Sequence, residues 1–237
     1  MKIIEHLFLG LMLGLGSSVA GKAQVIGVNI VGYINRNFTA GDHLFGNQLS
    51  NEGNNLNVLF SYNVPNGTTI SVWDSQSRSF LTPSIFNQDS GWSIDYSLAP
   101  GVGALMHAPS SFASTFVGEV VGLDAFGGGF IPPNPPGDGT FLLACRVPFS
   151  EANFDQTIGR LPREGDSVTR LDSLTGGYLT TAFHDGDWDN GTPRLNIMEA
   201  AFFNLGLESV PEPSIWALAL LGVIALGRRS WGRLLRR

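Results

Sequence analysis

The chain has 237 residues, of which 43% are hydrophobic and 14% are charged. This much apolar side chain excludes a wholly disordered chain, and the length allows one or two domains. The net charge of −6 argues against nucleic acid as a partner, since phosphate neutralisation needs clustered Lys and Arg. The single cysteine, Cys145, excludes an internal disulfide framework and any zinc or iron–sulfur site built from several cysteines.

The N-terminus has the three parts of a secretory signal peptide. Lys2 supplies positive charge, an apolar run covers 7–15, and small residues follow up to Ala23. We predict cleavage after Ala23, with cleavage after Ala20 as the alternative. A buried N-terminal helix is disfavoured because glycines interrupt the run and nothing caps it. We therefore expect 1–23 to be a signal peptide that directs the chain to the Sec machinery.

The predicted exported part, 24–209, is more acidic than the chain as a whole. Between 24 and 209 there are seven arginines, no lysine and 18 acidic residues, which leaves a net charge of −11. Such a surface repels anionic polymers unless divalent cations bridge them, and it favours solubility.

Short runs rich in Val, Ile, Thr and aromatic residues alternate with turn residues in this part, which predicts an all-β fold. The predicted strands are 25–31, 68–73, 115–121, 140–147, 168–171 and 178–183. Only 54–60 and 152–160 suit short helices, and an isolated helix of that length needs tertiary packing to be stable.

The sequence also contains an internal duplication, with a constant offset of 98 over its best-matched stretch. The matched pairs include Gly67/Gly165, Ile70/Val168, Asp74/Asp172 and Phe80/Tyr178, and further on Ala104 is aligned with Ala200 at offset 96. Each copy is predicted to run strand, short helix, proline turn, strand, Asp-Ser turn, aromatic strand, tryptophan and closing strand.

We expect two antiparallel β modules, sandwich or barrel-like, at 24–121 and 140–209. Copies of this size are small for independent domains, so the two are predicted to pack against each other. The Gly/Pro-rich segment 122–139 between them is a linker or an exposed loop. The N-terminal signal helix flanks the modules on one side, and a C-terminal hydrophobic helix within 210–237 flanks them on the other.

The last 28 residues combine a rigid entry, a short apolar run and a basic end. Pro211 and Pro213 prevent a helix from starting earlier, and the apolar run covers 215–227. As a helix these 13 residues span roughly 20 Å, less than the ~30 Å hydrocarbon core of a bilayer. The arginines that follow, beginning with Arg228 and Arg229, would hold this end in the cytoplasm.

This tail resembles the PEP-CTERM sorting signal of Gram-negative bacteria. The resemblance implies that an exosortase, a membrane-embedded cysteine-type transpeptidase, acts on the chain. It implies recognition at Pro211, Glu212 and Pro213, and a stop signal at Arg228 and Arg229. It also implies a final location at the cell surface or in the extracellular matrix, in association with exopolysaccharide. An ordinary short C-terminal anchor is the alternative.

No motif in 24–209 predicts catalysis. The three histidines there, His43, His107 and His184, are far apart in sequence. The repeat-related Asp74 and Asp172 could be a pair of glycosidase carboxylates, but an Asp-Ser pair before an aromatic strand more simply predicts a turn. Two further predictions are structural: Cys145 is a small buried hydrophobe, and the tryptophans Trp92 and Trp188 pack in the core instead of stacking on sugars.

One acidic loop is a candidate calcium site. Asp185, Asp187 and Asp189 place carboxylates on every second residue, the arrangement from which oxygens can converge on Ca²⁺. An ordinary hairpin loop ending at Asn190-Gly191 explains the same residues almost as well. Calcium is the only cofactor that the sequence suggests.

The sequence therefore predicts an exported, non-enzymatic protein whose inner-membrane intermediate is anchored by its C-terminal helix before processing. A secreted carbohydrate- or calcium-binding module is the first alternative. A secreted hydrolase is the second, and it would require polar side chains that converge in a pocket.

Overall fold

The computed structural model describes residues 30–60, 64–122, 136–172 and 175–206. It is 48% strand and 8% helix, with three antiparallel sheets, which confirms the all-β prediction. The predicted signal peptide, the sorting tail, most of the predicted linker and nearly all of the first predicted strand lie outside the described residues. Within these described ranges, no helix is long and apolar enough to cross a bilayer.

The described residues of the first half, 30–60 and 64–122, contain nine strands, a 3-10 turn at Glu52–Asn54 and the short helix α1, Leu56–Leu59. The strands are β1 (Val31–Phe38), β2 (Gly41–Gly46), β3 (Leu49–Ser50), β4 (Thr69–Asp74), β5 (Ser79–Phe80), β6 (Ser84–Asn87), β7 (Gly91–Trp92), β8 (Gly103–Ala108) and β9 (Phe112–Val120).

The second half, as far as the structure describes it, contains the short helix α2, Phe154–Ile158, and five strands. The strands are β10 (Gly139–Ala144), β11 (Ser167–Leu171), β12 (Tyr178–His184), β13 (Asp187–Trp188) and β14 (Ala200–Leu205). Five of the six predicted strands and both predicted helices are thus present, with shifted ends.

The two larger sheets share one strand order. The sheet of the first module (41–108) runs β2-β8-β4-β6-β7, with β5 paired to β4, and that of the second module (139–205) runs β10-β14-β11-β12-β13. In each, the first strand of the module pairs with the last, and the middle strands follow in chain order. The third sheet, β1-β9-β3, joins the two ends of the first half.

The strand register corrects the sequence alignment of the closing strands. Phe45 pairs with Ala104, and Leu143, 98 residues after Phe45, pairs with Ala201. Ala104 therefore corresponds to Ala201 and not to Ala200, as the alanine match had suggested. The burial patterns of β8 and β14 are identical in this register. Slipping it by one residue would turn every side chain to the opposite face.

Equivalent asparagines cap the two short helices. Asn55 accepts a hydrogen bond from the backbone N–H of Val58 at the start of α1, and Asn153 accepts one from Gln156 at the start of α2. An N-cap of this kind satisfies a backbone donor that the helix leaves unpaired. Helices of four and five residues depend on such caps and on the buried side chains beneath them.

Each module has its own aromatic core, and a third cluster joins them. Trp92 packs with Phe60 and Phe86 in the first core, and Trp188 packs with Phe154 and Phe183 in the second. Both tryptophans are buried, which confirms that they belong to the core. The joining cluster is formed by Leu44, Leu142, Ala144 and Ala200, with Trp73, Phe80, Leu105, Leu171 and Phe202 against them.

The contact between the modules is reciprocal. The N–H of Gly46 donates to the carbonyl oxygen of Met198 at 3.2 Å, and the N–H of Ala144 donates to that of Gly101 at 3.0 Å. Gly46 corresponds to Ala144, and Gly101 to Met198, so the two hydrogen bonds are the same bond with the modules exchanged. This is the arrangement of a two-fold symmetric dimer interface, here within one chain.

Candidate functional site

A cleft of about 240 Å³ lies where β1 and β2 meet the second module. Its walls combine charged and polar side chains with three leucines. The lining residues are Arg36, His43, Leu44, Arg170, Leu171, Asp172, Leu179, Asn196 and Glu199. We call it the inter-module cleft.

Arg36 reaches the cleft from β1. Exposure alternates along this strand, and Arg36 lies on the same, less exposed face as Ile34 and Phe38. Its Cζ is 5.9 Å from the centre of the Phe38 ring, and Nη1 donates to the carbonyl oxygen of Ile197 at a long 3.4 Å. Its Nε is buried and has no hydrogen-bond partner among the described residues. Within these ranges Arg36 therefore keeps a desolvated donor that the protein does not satisfy.

Arg170 is positioned by Glu199. The Nε of Arg170 donates to Oε1 of Glu199 at 2.9 Å, while Oε2 of Glu199 accepts from the backbone and side-chain nitrogens of Asn196 at 2.9 and 2.8 Å. Both oxygens of this carboxylate are thus occupied. The part of the chain that the structure describes offers no acceptor to the terminal nitrogens of Arg170, which remain for solvent or a ligand.

The other polar residues of the cleft are held by local contacts. The ring of His43 is 7% exposed, and its Nε2 lies 2.8 Å from the carbonyl oxygen of Thr39. Oδ2 of Asp172 accepts a hydrogen bond from the hydroxyl of Thr175 at 2.7 Å. The cleft therefore contains two guanidinium groups together with two carboxylates that already have donors within the protein.

At three equivalent positions the first module has apolar residues where the cleft has charged or polar ones, although Asp74 stands where the second module has Asp172. Val72 stands where the second module has Arg170, Val102 where it has Glu199, and Ala99 where it has Asn196. The same strand order forms with apolar residues at these positions, so strand pairing does not require the charged ones. They are particular to one module.

The candidate calcium loop forms a tight hairpin between β12 and β13. Asp185 and Gly186 have φ values of 53° and 83°, the left-handed pair of a type I′ turn. Oδ1 of Asp187 accepts from the N–H of Trp188, and Oδ1 of Asp189 accepts from the N–H of Ala182. Among the residues described, no three His, Cys, Asp or Glu side chains form a group that could hold a metal ion. Calcium binding here stays a prediction.

The predicted Asp-Ser turn is present at Asp74. Its carboxylate accepts from the backbone N–H groups of Gln76 and Ser77 and from the hydroxyl of Ser77. These bonds, that of the Ser77 hydroxyl above all, lower the pKa of Asp74 below its usual value. Asp172, its counterpart, also closes a turn: its Oδ2 accepts from the hydroxyl of Thr175, three residues on, and it lines the inter-module cleft as well.

Cys145 follows β10 and is fully buried, which confirms its prediction as a small core residue. Burial raises the pKa of its thiol. The three histidines are in different surroundings: His43 lines the cleft, His107 Nδ1 lies 2.6 Å from Asp42 Oδ1 on the exposed face, and His184 is 3.9 Å from Glu164.

Arg36 and Arg170, which carry the two guanidinium groups of the cleft, were not predicted as site residues, and neither were Glu199 and Asn196, which orient Arg170. Arg36, Arg170, Asn196 and Glu199 belong to no motif. One signal was nevertheless present, because the offset of 98 places Arg170 opposite Val72, a charged residue against an apolar one. The predicted processing and sorting residues lie outside the described residues: Ala23, Pro211, Glu212, Pro213, Arg228 and Arg229.

No known family model, curated protein or solved structure matches this chain. Its function has to be inferred from its own residues.

Proposed function

We propose that the chain is an exported, non-enzymatic protein of the cell surface or extracellular matrix, sorted by a PEP-CTERM tail. One observation carries the proposal: Pro211-Glu212-Pro213, an apolar run at 215–227 and Arg228-Arg229 follow one another in that order, opposite an N-terminal signal peptide. A signal at each end defines a route: the Sec machinery exports the chain, the apolar helix holds it in the inner membrane, and an exosortase-type transpeptidase releases it.

The exported part suits an extracellular matrix that contains exopolysaccharide. Its net charge of −11 and its lack of lysine favour solubility and discourage adhesion to anionic lipid. We further infer that its two β modules arose by internal duplication and pack as a sandwich-like pair. Their shared strand order, equivalent asparagine caps and reciprocal hydrogen bonds support this inference.

The proposal is tested by the intact mass of the protein recovered from the surface and medium of the native bacterium. We expect a species that begins near Gln24 and ends near Pro211. Substituting Glu212→Ala should leave the tail uncut and the chain in the membrane fraction, whereas Glu208→Ala, a matched change four residues upstream, should be processed normally. A surface species that retains Arg228–Arg237 would overturn the exosortase route and indicate an ordinary anchor.

A secreted carbohydrate-binding module is the second candidate, and the inter-module cleft favours it. Arginine, asparagine and carboxylate side chains beside leucines can bind hydroxyl groups while contacting the apolar face of a sugar ring. A hydrolase fits the cleft less well. Among the described lining residues there is no serine, threonine, cysteine or lysine, both oxygens of Glu199 are bound by neighbours, and Asp172 accepts from the hydroxyl of Thr175.

A further inference from the structure

We propose that the inter-module cleft binds the carboxylate group of an acidic sugar unit, a uronic acid, through Arg36 and Arg170. The requirement for a carboxylate comes from the cleft alone. The choice of a sugar as its carrier rests on the proposed association with exopolysaccharide.

The first argument is the available end of the Arg36 guanidinium. Nε of Arg36 is buried, so a ligand in the cleft cannot contact it. Nη1 has only the 3.4 Å contact to the carbonyl oxygen of Ile197, and Nη2 has no hydrogen bond among the described residues. A carboxylate placed against the Nη1–Nη2 end would accept from both nitrogens, because the spacing of its two oxygens matches the arginine fork.

The second argument is the fixed orientation of Arg170. Glu199 holds its Nε at 2.9 Å and is itself held by Asn196, so the guanidinium is pinned at one end. Its terminal nitrogens keep their donors. Side chains that are oriented before the ligand arrives lose less conformational entropy on binding, which raises affinity.

The third argument concerns the acidic residues in the cleft. Glu199 is neutralised by Arg170, and Asp172 accepts from the hydroxyl of Thr175. Glu199 is therefore engaged by Arg170 and Asn196, and among the described residues Arg36 makes no ion pair with it. Asp172 and Asn196 remain near enough to the cavity to accept from or donate to sugar hydroxyls.

The size of the cleft and the net charge of the exported part limit the choice of ligand further. The volume of about 240 Å³ lies below the ~300–1,000 Å³ of sites for drug-sized molecules, which suits one sugar unit. The net charge of −11 on 24–209 repels a polyanion at long range. We therefore expect the cleft to take an isolated uronic acid within a largely neutral polysaccharide.

The test is binding of glucuronate and of glucose to the purified full-length chain, measured by calorimetry in detergent solution at low salt. We expect glucuronate to bind and glucose to bind at least about tenfold more weakly, a difference of about 1.4 kcal/mol. Arg36→Gln and Arg170→Gln should each weaken glucuronate binding by about tenfold or more. The matched control Arg194→Gln, which removes an exposed arginine paired with Glu151, should bind as the unchanged chain does.

Two further measurements separate recognition from folding and from simple anion binding. Arg36→Lys keeps the charge but lacks the fork, so it should fold normally and still bind glucuronate more weakly. Acetate, which has a carboxylate and no sugar ring, should bind more weakly than glucuronate. Equal affinities for acetate and glucuronate would overturn the sugar assignment, and equal affinities for glucose and glucuronate, or unchanged binding by both glutamine variants, would overturn the carboxylate site.

Failure here is distinguishable from failure of the proposed function. If the chain does not bind glucuronate but is cut near Pro211 at the cell surface, the proposed binding site in the cleft is wrong and the sorting proposal is still supported. A chain that binds glucuronate but keeps its tail supports the cleft and refutes the exosortase route.

Discussion

A β-carbon placed on Gly46 would lie 2.4 Å from the β-carbon of Ala144, its counterpart in the second module. Gly103 and its counterpart Ala200 stand in a similar relation, at 3.0 Å. Equivalent residues of the two modules therefore meet at the boundary between them. In each pair the first module has glycine and the second has alanine. The two backbones can come this close because the residue of the first module has no β-carbon.

Gly46→Ala should destabilise the protein by about 1–3 kcal/mol, because the added methyl would collide with Ala144 in a packed interface. Urea-induced unfolding of the purified chain measures this change. The double variant Gly46→Ala/Ala144→Gly should recover most of the loss, with incomplete rescue because the carbonyl oxygen of Val102 lies 3.0 Å from the new atom. Gly137→Ala, where nothing lies within 4 Å, is the neutral control. Purely additive effects in the double variant would contradict the proposed collision.

Asp166 should contribute more to stability than any exposed acid of the second module. Its side chain is fully buried and accepts from both terminal nitrogens of Arg160, at 2.7 and 3.0 Å, and from the backbone N–H groups of Arg163 and Gly206. Asp166→Asn should lower the free energy of unfolding by about 3 kcal/mol or more, because it leaves a largely buried guanidinium without its counter-charge.

The exposed ion pair of Arg194 and Glu151 provides the matched control. Its distance is also 2.7 Å, but the two side chains are 59% and 62% exposed. Glu151→Gln should therefore change the free energy of unfolding by less than about 1 kcal/mol. Equal losses from the two substitutions, measured in the same urea titration, would show that burial does not set the contribution of Asp166.

Ionised Asp74 should add an increment to the free energy of unfolding, and this increment should be lost in acid. Its pKa is lowered in the folded state, first by the Ser77 hydroxyl and then by two backbone N–H groups. The increment is therefore complete above the unfolded pKa of about 3.9 and is lost as the pH falls through the lower folded pKa. Ser77→Ala should raise the pKa of Asp74 in a carboxyl NMR titration, whereas Ser79→Ala, which removes only a neighbour of Ser77, should raise it less. An unchanged pKa in Ser77→Ala would contradict this account.

The thiol of Cys145 should be inert in the native protein and reactive once the chain unfolds. Burial raises its pKa, so the folded state keeps the proton more tightly than the unfolded state does. The stability associated with the protonated thiol is thus complete below the unfolded pKa of about 8.5 and is lost as the pH rises through the folded value. Labelling by a disulfide reagent should follow the urea unfolding curve. Fast labelling of the native chain at neutral pH would show that the thiol is accessible.

Local sequence signals predicted the elements whose determinants lie within a few residues. The carboxylate of Asp74 closes its own turn, as predicted. The hairpin turn was expected to end at Asn190-Gly191, but it lies at Asp185-Gly186, where both residues have positive φ. The short helices formed where predicted because Asn55 and Asn153 cap them. The closing strands were misaligned by one residue because the alanine match ignored cross-strand pairing, which places Ala201 opposite Leu143.

The sequence by itself determined the β class, the turn at Asp74 and the repeated order of elements, since these depend on side-chain propensities and on residues close in the chain. Only the tertiary structure decided which residues share the inter-module cleft. Arg36 and Arg170 are 134 positions apart and belong to no common motif. They line one cavity because β1 and the two modules pack together, and such packing depends on the shapes of whole surfaces, which no local pattern records.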